Sequence, residues 1–185
     1  GEVRVIVPRL PGPWSESRSL LGFGEHRQAR VLALTRFPAA VTADWLGDIA
    51  RCCVAIAVHL QPVPAPVAAS LLRRRLASMT SAAAVEAQAG RLIDPQLDLA
   101  AETAQQLRTE LALGSTRLLR AQVLFALAGD SEEQLLRTER RVRSLLAASL
   151  AEGRVLSLQQ QQAWAACQPG GPPMGWPWRL LDAAS

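Results

Sequence analysis

Between Leu118 and Leu127 the chain runs through ten residues of which only Arg120 and Gln122 are polar. A run this short and this apolar reads as a strand, apolar enough to lie at the centre of a sheet. The chain must therefore build a sheet and cover it. Ser131-Glu-Glu-Gln134 follows as a capping box, opening a helix over 132–152 with Leu135, Val142, Leu146 and Leu150 inward. Gly153 closes that helix, and Arg154-Val-Leu-Ser-Leu158 supplies the next strand.

The first half of the chain repeats this order. Val3–Val7 reads as a short strand, and residues 8–24, rich in proline and glycine, as a loop. Arg30-Val-Leu-Ala-Leu-Thr35 is a strand ended by Phe37-Pro38. Thr42 is placed as an N-cap, with Asp44 in the first turn and Val41, Trp45 and Ile49 on one face of a helix over 42–51. Cys53–Leu60 is a strand with Val54, Ile56 and Val58 on one face and Ala55, Ala57 and His59 on the other. Prolines 62, 64 and 66 stop it.

From Val67 the period becomes helical. Leu72, Leu76, Met79 and Ala83 align until Gly90; Asp94-Pro95 then opens a second helix through Leu97, Ala101, Ala104, Leu107 and Leu111, with Gly114 at its end. These helices form an antiparallel hairpin over 67–113. With the hairpin set aside, the order is β-α-β twice. That is an α/β (α+β) chain of the ferredoxin-like kind, a split βαβ sandwich with a long helical hairpin inserted. The expected sheet uses 30–35, 53–60, 118–127 and 154–158, with both shorter helices on one face. Residues 1–29 form an N-terminal strand and loop, 30–162 the ferredoxin-like domain, and 163–185 a tail rich in Pro, Gly and Trp.

A length of 185 residues fits one domain. All 20 basic residues are Arg, which excludes a phosphate-loop lysine, a Schiff-base lysine and a lysine general base. The pI near 10.1 suggests a nucleic-acid or membrane partner, but no stretch of the chain concentrates the excess positive charge. Cys52, Cys53 and Cys167 make no disulfide framework and point to a reducing compartment. No signal peptide opens the chain, and its longest uncharged stretch, Val155–Trp178, is too rich in Gln, Pro and Gly to span a membrane.

The chemistry-bearing residues do not assemble into a site. His26, His59, Cys52 and Cys53 lack metal-ligand spacing. Cys53 and His59 as a catalytic pair would lie about 20 Å apart along one strand. Gly170-Gly-Pro-Pro-Met-Gly175 lacks the Lys-Ser/Thr of a phosphate loop, and its prolines remove N–H donors. We therefore expect no catalytic residue, no cofactor and no metal. Two features are candidate partner-docking elements. Arg73, Arg74 and Arg75 fan around one helix, either as a solvated face or as a contact for an acidic partner or lipid headgroups. Trp164, Trp176 and Trp178, with Met174, either pack on this domain or dock elsewhere.

The order of motifs resembles the amino-terminal, non-motor region of conjugative-transfer and type IV secretion ATPases. Arg30-Val-Leu-Ala-Leu-Thr-Arg-Phe-Pro38 with Val41 and Trp45-Leu46 is similar to that family's first strand and helix. Val54–Pro62 and residues 66–113 stand where it has a proline-ended strand and a helical hairpin. Leu118–Ala128, Ser131-Glu132-Glu133-Gln134-Leu135, Val155–Gln162, Pro169-Gly170 and Arg179-Leu-Leu-Asp182 match the remainder in order. The resemblance implies a non-catalytic assembly domain, cytoplasmic and peripheral to the inner membrane. Its partners would be channel subunits, its own motor domain beyond Ser185, and in some arrangements a second copy. The alternatives are an Arg-rich nucleic-acid-binding domain, against which the spread charge and strand positions held by Ala, Arg, Gln and one Phe argue, and a ferredoxin-like ligand-sensing domain.

Overall fold

The computed structural model describes residues 14–24, 26–38, 44–88, 95–113 and 116–184. The expected strand at Val3–Val7, the Thr42 cap and the helix-end glycines Gly90 and Gly114 lie outside the described residues. The described elements run β1 (Trp14–Glu16), β2 (Leu21–Phe23), β3 (Arg27–Arg36), α1 (Gly47–Ala50), β4 (Ala55–Pro62), α2 (Ala65–Gln88), α3 (Pro95–Leu113), β5 (Thr116–Gly129), α4 (Glu132–Ala148), β6 (Glu152–Val155), α5 (Gln160–Ala166) and β7 (Arg179–Ala184). The strands make one open antiparallel sheet in the order β1-β2-β3-β5-β4, with β6 paired to β3 and β7 to β5. The chain divides into two compact units. The larger takes the described residues up to His59 and from Ala121 to Arg179; the smaller takes Leu60–Arg120 and the residues from Leu180 onward.

In the larger unit β3 is the organising strand. One edge pairs with β5, from Gln28↔Gly129 to Ala33↔Leu124. The other edge is shared, by β2 near the start (Leu21↔Ala29) and by β6 near the end (Leu32↔Val155), with a register shift between Leu34 and Arg36. Strand alternation then sorts the side chains into two layers. Leu32, Leu34, Val123, Phe125 and Leu127 meet Ile49 of α1 and Leu135, Val142 and Leu146 of α4. Val31, Ala33, Leu124 and Ala126 face the opposite way, onto Leu156, Ala163, Ala166, Cys167 and Met174. The two shorter helices share one face as their spacing predicts, and the segment 156–174 covers the other.

Three buried polar side chains join these layers. Arg30 of β3 donates from Nε to the Ser19 carbonyl at 2.9 Å and pairs with the Glu139 carboxylate of α4, whose second oxygen accepts from Arg143 Nε at 2.8 Å. Gln160 completes the shared edge of β3. Its Oε1 accepts from the Val31 N–H at 2.7 Å, and its Nε2 donates to the Val31 carbonyl at 3.1 Å and the Leu156 carbonyl at 2.7 Å. Gln122 of β5 holds the tail, accepting from the Met174 N–H at 2.8 Å and donating to the carbonyls of Met174 and Pro177 at 3.2 Å.

Several local expectations are corrected. Residues 14–23 form a hairpin rather than loop, because β3 supplies the second ladder that stabilises two such short strands. Gly153 does not close α4. The helix ends at Ala148, Leu150 takes the left-handed conformation (φ 56°), and Gly153 lies in β6, where a Cβ would stand 2.8 Å from Leu146 Cδ1. The strand expected at 154–158 is Glu152–Val155. Gln160–Gln162 open the helix α5, where the Gln160 amide is consumed inside the fold. Part of the irregular tail is the strand β7. Ser131 is the N-cap of α4, accepting from the Gln134 N–H at 3.2 Å, although the Gln134 amide reaches back to the Asp130 N–H rather than to Ser131.

In the smaller unit α2 and α3 form the expected antiparallel hairpin. Ala68 and Leu72, near the start of α2, pack with Leu107 and Leu111, near the end of α3, and with Leu118 and Val63. The Val63 N–H donates to the Leu118 carbonyl at 2.9 Å.

Candidate docking site on strand β4

Among the described residues strand β4 ends the sheet, so one side of its backbone pairs with β5 and the other faces outward. The Val63 N–H donates to the Leu118 carbonyl at 2.9 Å, and Ala55 and Ala57 share a layer with Leu124 and Ala126. The odd-numbered residues Ala55, Ala57 and His59 therefore face β5, with Val54, bonded to the Ala126 carbonyl, at an irregularity just ahead of the strand. By the two-residue period, the backbone groups of Ile56 and Val58 point away from β5. Ala55 and Ala57 pack into the layer with Trp164 and Cys167, while Val54 and Val58 are 59% and 51% exposed.

A cleft of about 780 Å³ lies beside this edge. Residues 54–59 line one side, and Trp164 with Ala166–Gly171 the other. The facing wall is held in three ways. The His59 ring lies 2.9 Å from the Ala166 carbonyl, and since a carbonyl only accepts, Nε2 carries the proton. Trp164 packs on Phe23 with ring centroids 5.2 Å apart. Gly170 takes φ +73°, and a Cβ on Gly171 would stand 2.0 Å from the Ala165 carbonyl oxygen. The glycines that resemble a phosphate loop in sequence thus turn the chain tightly off α5.

The cleft carries no formal charge from Asp, Glu or Arg. Its thiol is inert: burial pushes Cys167 up to about 12, with Cys53 adding to the effect. Burial likewise pushes Cys53 to about 12, with a smaller contribution from Cys52. Neither is a thiolate at neutral pH, and the thiolate is the nucleophile and the metal ligand. What the cleft offers is shape, apolar surface and the backbone groups of a sheet edge.

The residues singled out in sequence belong to different units, the arginines to the smaller and the tryptophans to the larger. Arg73 and Arg74 are exposed on α2, and the side chain of Arg75 lies outside the described residues. Arg73 shares a cleft of about 780 Å³ with Arg108, lined also by Ala65, Ala69, Leu111 and Ala112. Trp164 and Trp178 are half-buried, Met174 is buried, and Trp176 is 59% exposed. The β4 edge was not singled out in sequence, though a signal was present: no Arg, Asp or Glu occurs from Cys52 to Leu72. No protein-family model and no curated protein matches the chain.

Proposed function

We propose that this chain is a non-catalytic assembly domain of a type IV secretion or conjugative DNA-transfer ATPase, holding protein partners at the membrane channel. The observation that carries the docking part is the uncharged cleft along the free edge of β4. A sheet edge of this kind recognises protein backbone. The family assignment rests on the ordered motifs from Arg30 to Asp182. The strand order β6-β3-β5-β4, with α1 and α4 on one face, supports reading the larger unit as a ferredoxin-like split βαβ sandwich carrying the hairpin between its halves. Among the described residues no helix is long and apolar enough to cross a membrane, so in this reading the chain meets the membrane through channel subunits at its cytoplasmic face.

Binding of the purified chain to detergent-solubilised inner-membrane components of a type IV secretion channel, followed by sedimentation velocity, tests the reading. We expect a stoichiometric complex, no ATP hydrolysis by the chain alone, and no rise in unfolding temperature with magnesium-ATP. Hydrolysis, or salt-dependent binding to duplex DNA with no channel complex, refutes it.

A further inference from the structure

Sheet edges are hazardous, and the other edges here are blunted in the usual ways. Strand β1 is three residues long and holds Glu16; β6 is four long and holds Glu152 and Arg154; β7 carries Arg179 and Asp182. Strand β4 differs. It is eight residues long, Ala-Ile-Ala-Val-His-Leu-Gln-Pro, without a formal charge, and its proline stands at the last position. Nothing in its sequence discourages another strand from pairing with Ile56 and Val58.

We propose that β4 is a reserved edge, completed by an extended, uncharged segment of a partner protein that adds as a further strand along Ala55–His59. This rests on the assembly reading above and names what that assembly grips. Small side chains at Ala55 and Ala57 leave room on the cleft side of the added strand, where Trp164 and Cys167 offer apolar contact. On the opposite face the exposed Val54 and Val58 meet its alternate residues. A charged residue entering the cleft would lose water and find no counter-charge among the lining residues. A bare segment fits better than a second copy of β4, because a second copy would bring its own wall of residues 166–171 into the same cleft.

Amide hydrogen exchange on the whole chain tests this, with the peptide acetyl-Thr-Val-Thr-Val-Thr-Val-Thr-amide as probe. Saturating peptide should slow exchange at Ile56 and Val58 by about tenfold or more and leave Ala55 and Ala57, already paired to β5, unchanged. Val58→Pro removes an outward N–H at an edge that tolerates proline, and should weaken peptide binding by about tenfold. Val54→Lys, a charge at an exposed position beside the edge, is the second variant should Val58→Pro unfold. A peptide with Asp in place of Val should bind at least about tenfold more weakly.

No protection by the peptide overturns the proposal, as does equal binding of the Asp peptide. Concentration-dependent self-association with the same protection assigns the edge to a second copy and also overturns it. So does protection already present in the free monomer and lost on deleting residues 1–10. A channel complex that forms equally well with Val58→Pro removes strand addition and leaves the assembly reading standing. Peptide protection without any channel complex removes the family reading and leaves the strand site.

Discussion

Replacing Glu139 by Gln isolates what a buried charge contributes to this fold. Arg30 and Glu139 are each only 8% exposed, and one carboxylate serves two guanidinium groups, Arg30 on β3 and Arg143 on α4. The amide keeps the shape but has a single oxygen, so one arginine must face its NH₂ group. Arg143 is 44% exposed at its side chain and can turn to water; Arg30 cannot. Arg30 would keep its bond to Ser19 and one neutral acceptor, in place of a charge-assisted bond about twice as strong. Breaking a buried pair by removing one partner costs about 3–5 kcal/mol, most of it from the charge left uncompensated. Because the amide still accepts one bond, Glu139→Gln belongs at the lower end, about 3 kcal/mol, and Glu139→Ala at the upper. For a urea dependence of about 1–3 kcal/mol per molar, the midpoint should fall by about 1–3 M, read by far-ultraviolet circular dichroism. The double variant Arg30→Met/Glu139→Leu removes both charges and should return to within about 1 kcal/mol of the parent. An unchanged midpoint for Glu139→Gln would refute the argument, and would mean that apolar contacts alone seat α4 on the sheet.

Ser131→Ala removes the N-cap acceptor of α4 and should cost about 1 kcal/mol in urea unfolding; no change would place the helix start elsewhere. Gly171→Ala drives a Cβ against the Ala165 carbonyl, so it should destabilise by about 1–3 kcal/mol and open the wall of the β4 cleft, whereas Gly175→Ala, with open space around its Cβ position, should not. Cys53 and Cys167 should resist a thiol reagent at pH 8 in the native protein and react once it is denatured. Their folded pKa values near 12 lie above the ordinary value of 9.0, so from about pH 9 upward the unfolded chain releases protons that the folded chain keeps. The stability they confer is full below pH 9 and is lost as pH rises toward 12. A stability profile flat across that window, or one that falls equally in a Cys53→Ala/Cys167→Ala variant, would contradict this.

The elements that sequence made legible are those whose stabilisation is local or periodic. The apolar run Leu118–Leu127 could only be an inner strand, and β5 lies between β3 and β4. The alternation of Val54, Ile56 and Val58 with Ala55, Ala57 and His59 fixed which side chains of β4 join each layer. Ser131 announced α4 because an N-cap hydroxyl acts within four residues of itself. What escaped depends on partners far along the chain. The β1–β2 hairpin exists because β3 offers a second ladder, and no local pattern encodes that offer. Nothing in the run of glutamines around Gln160 shows that Val31, 129 positions away, needs its amide. Gly153 is glycine because Leu146 leans on it. The candidate site is the extreme case. The residues of β4 determine that the strand is apolar, small-sided and uncharged, but whether a strand is inner or outer is decided by sheet order. Sheet order comes from the summed burial of both faces, a property of the whole chain. Sequence alone therefore specified what β4 is made of, and only the tertiary structure left one of its edges open among the described residues.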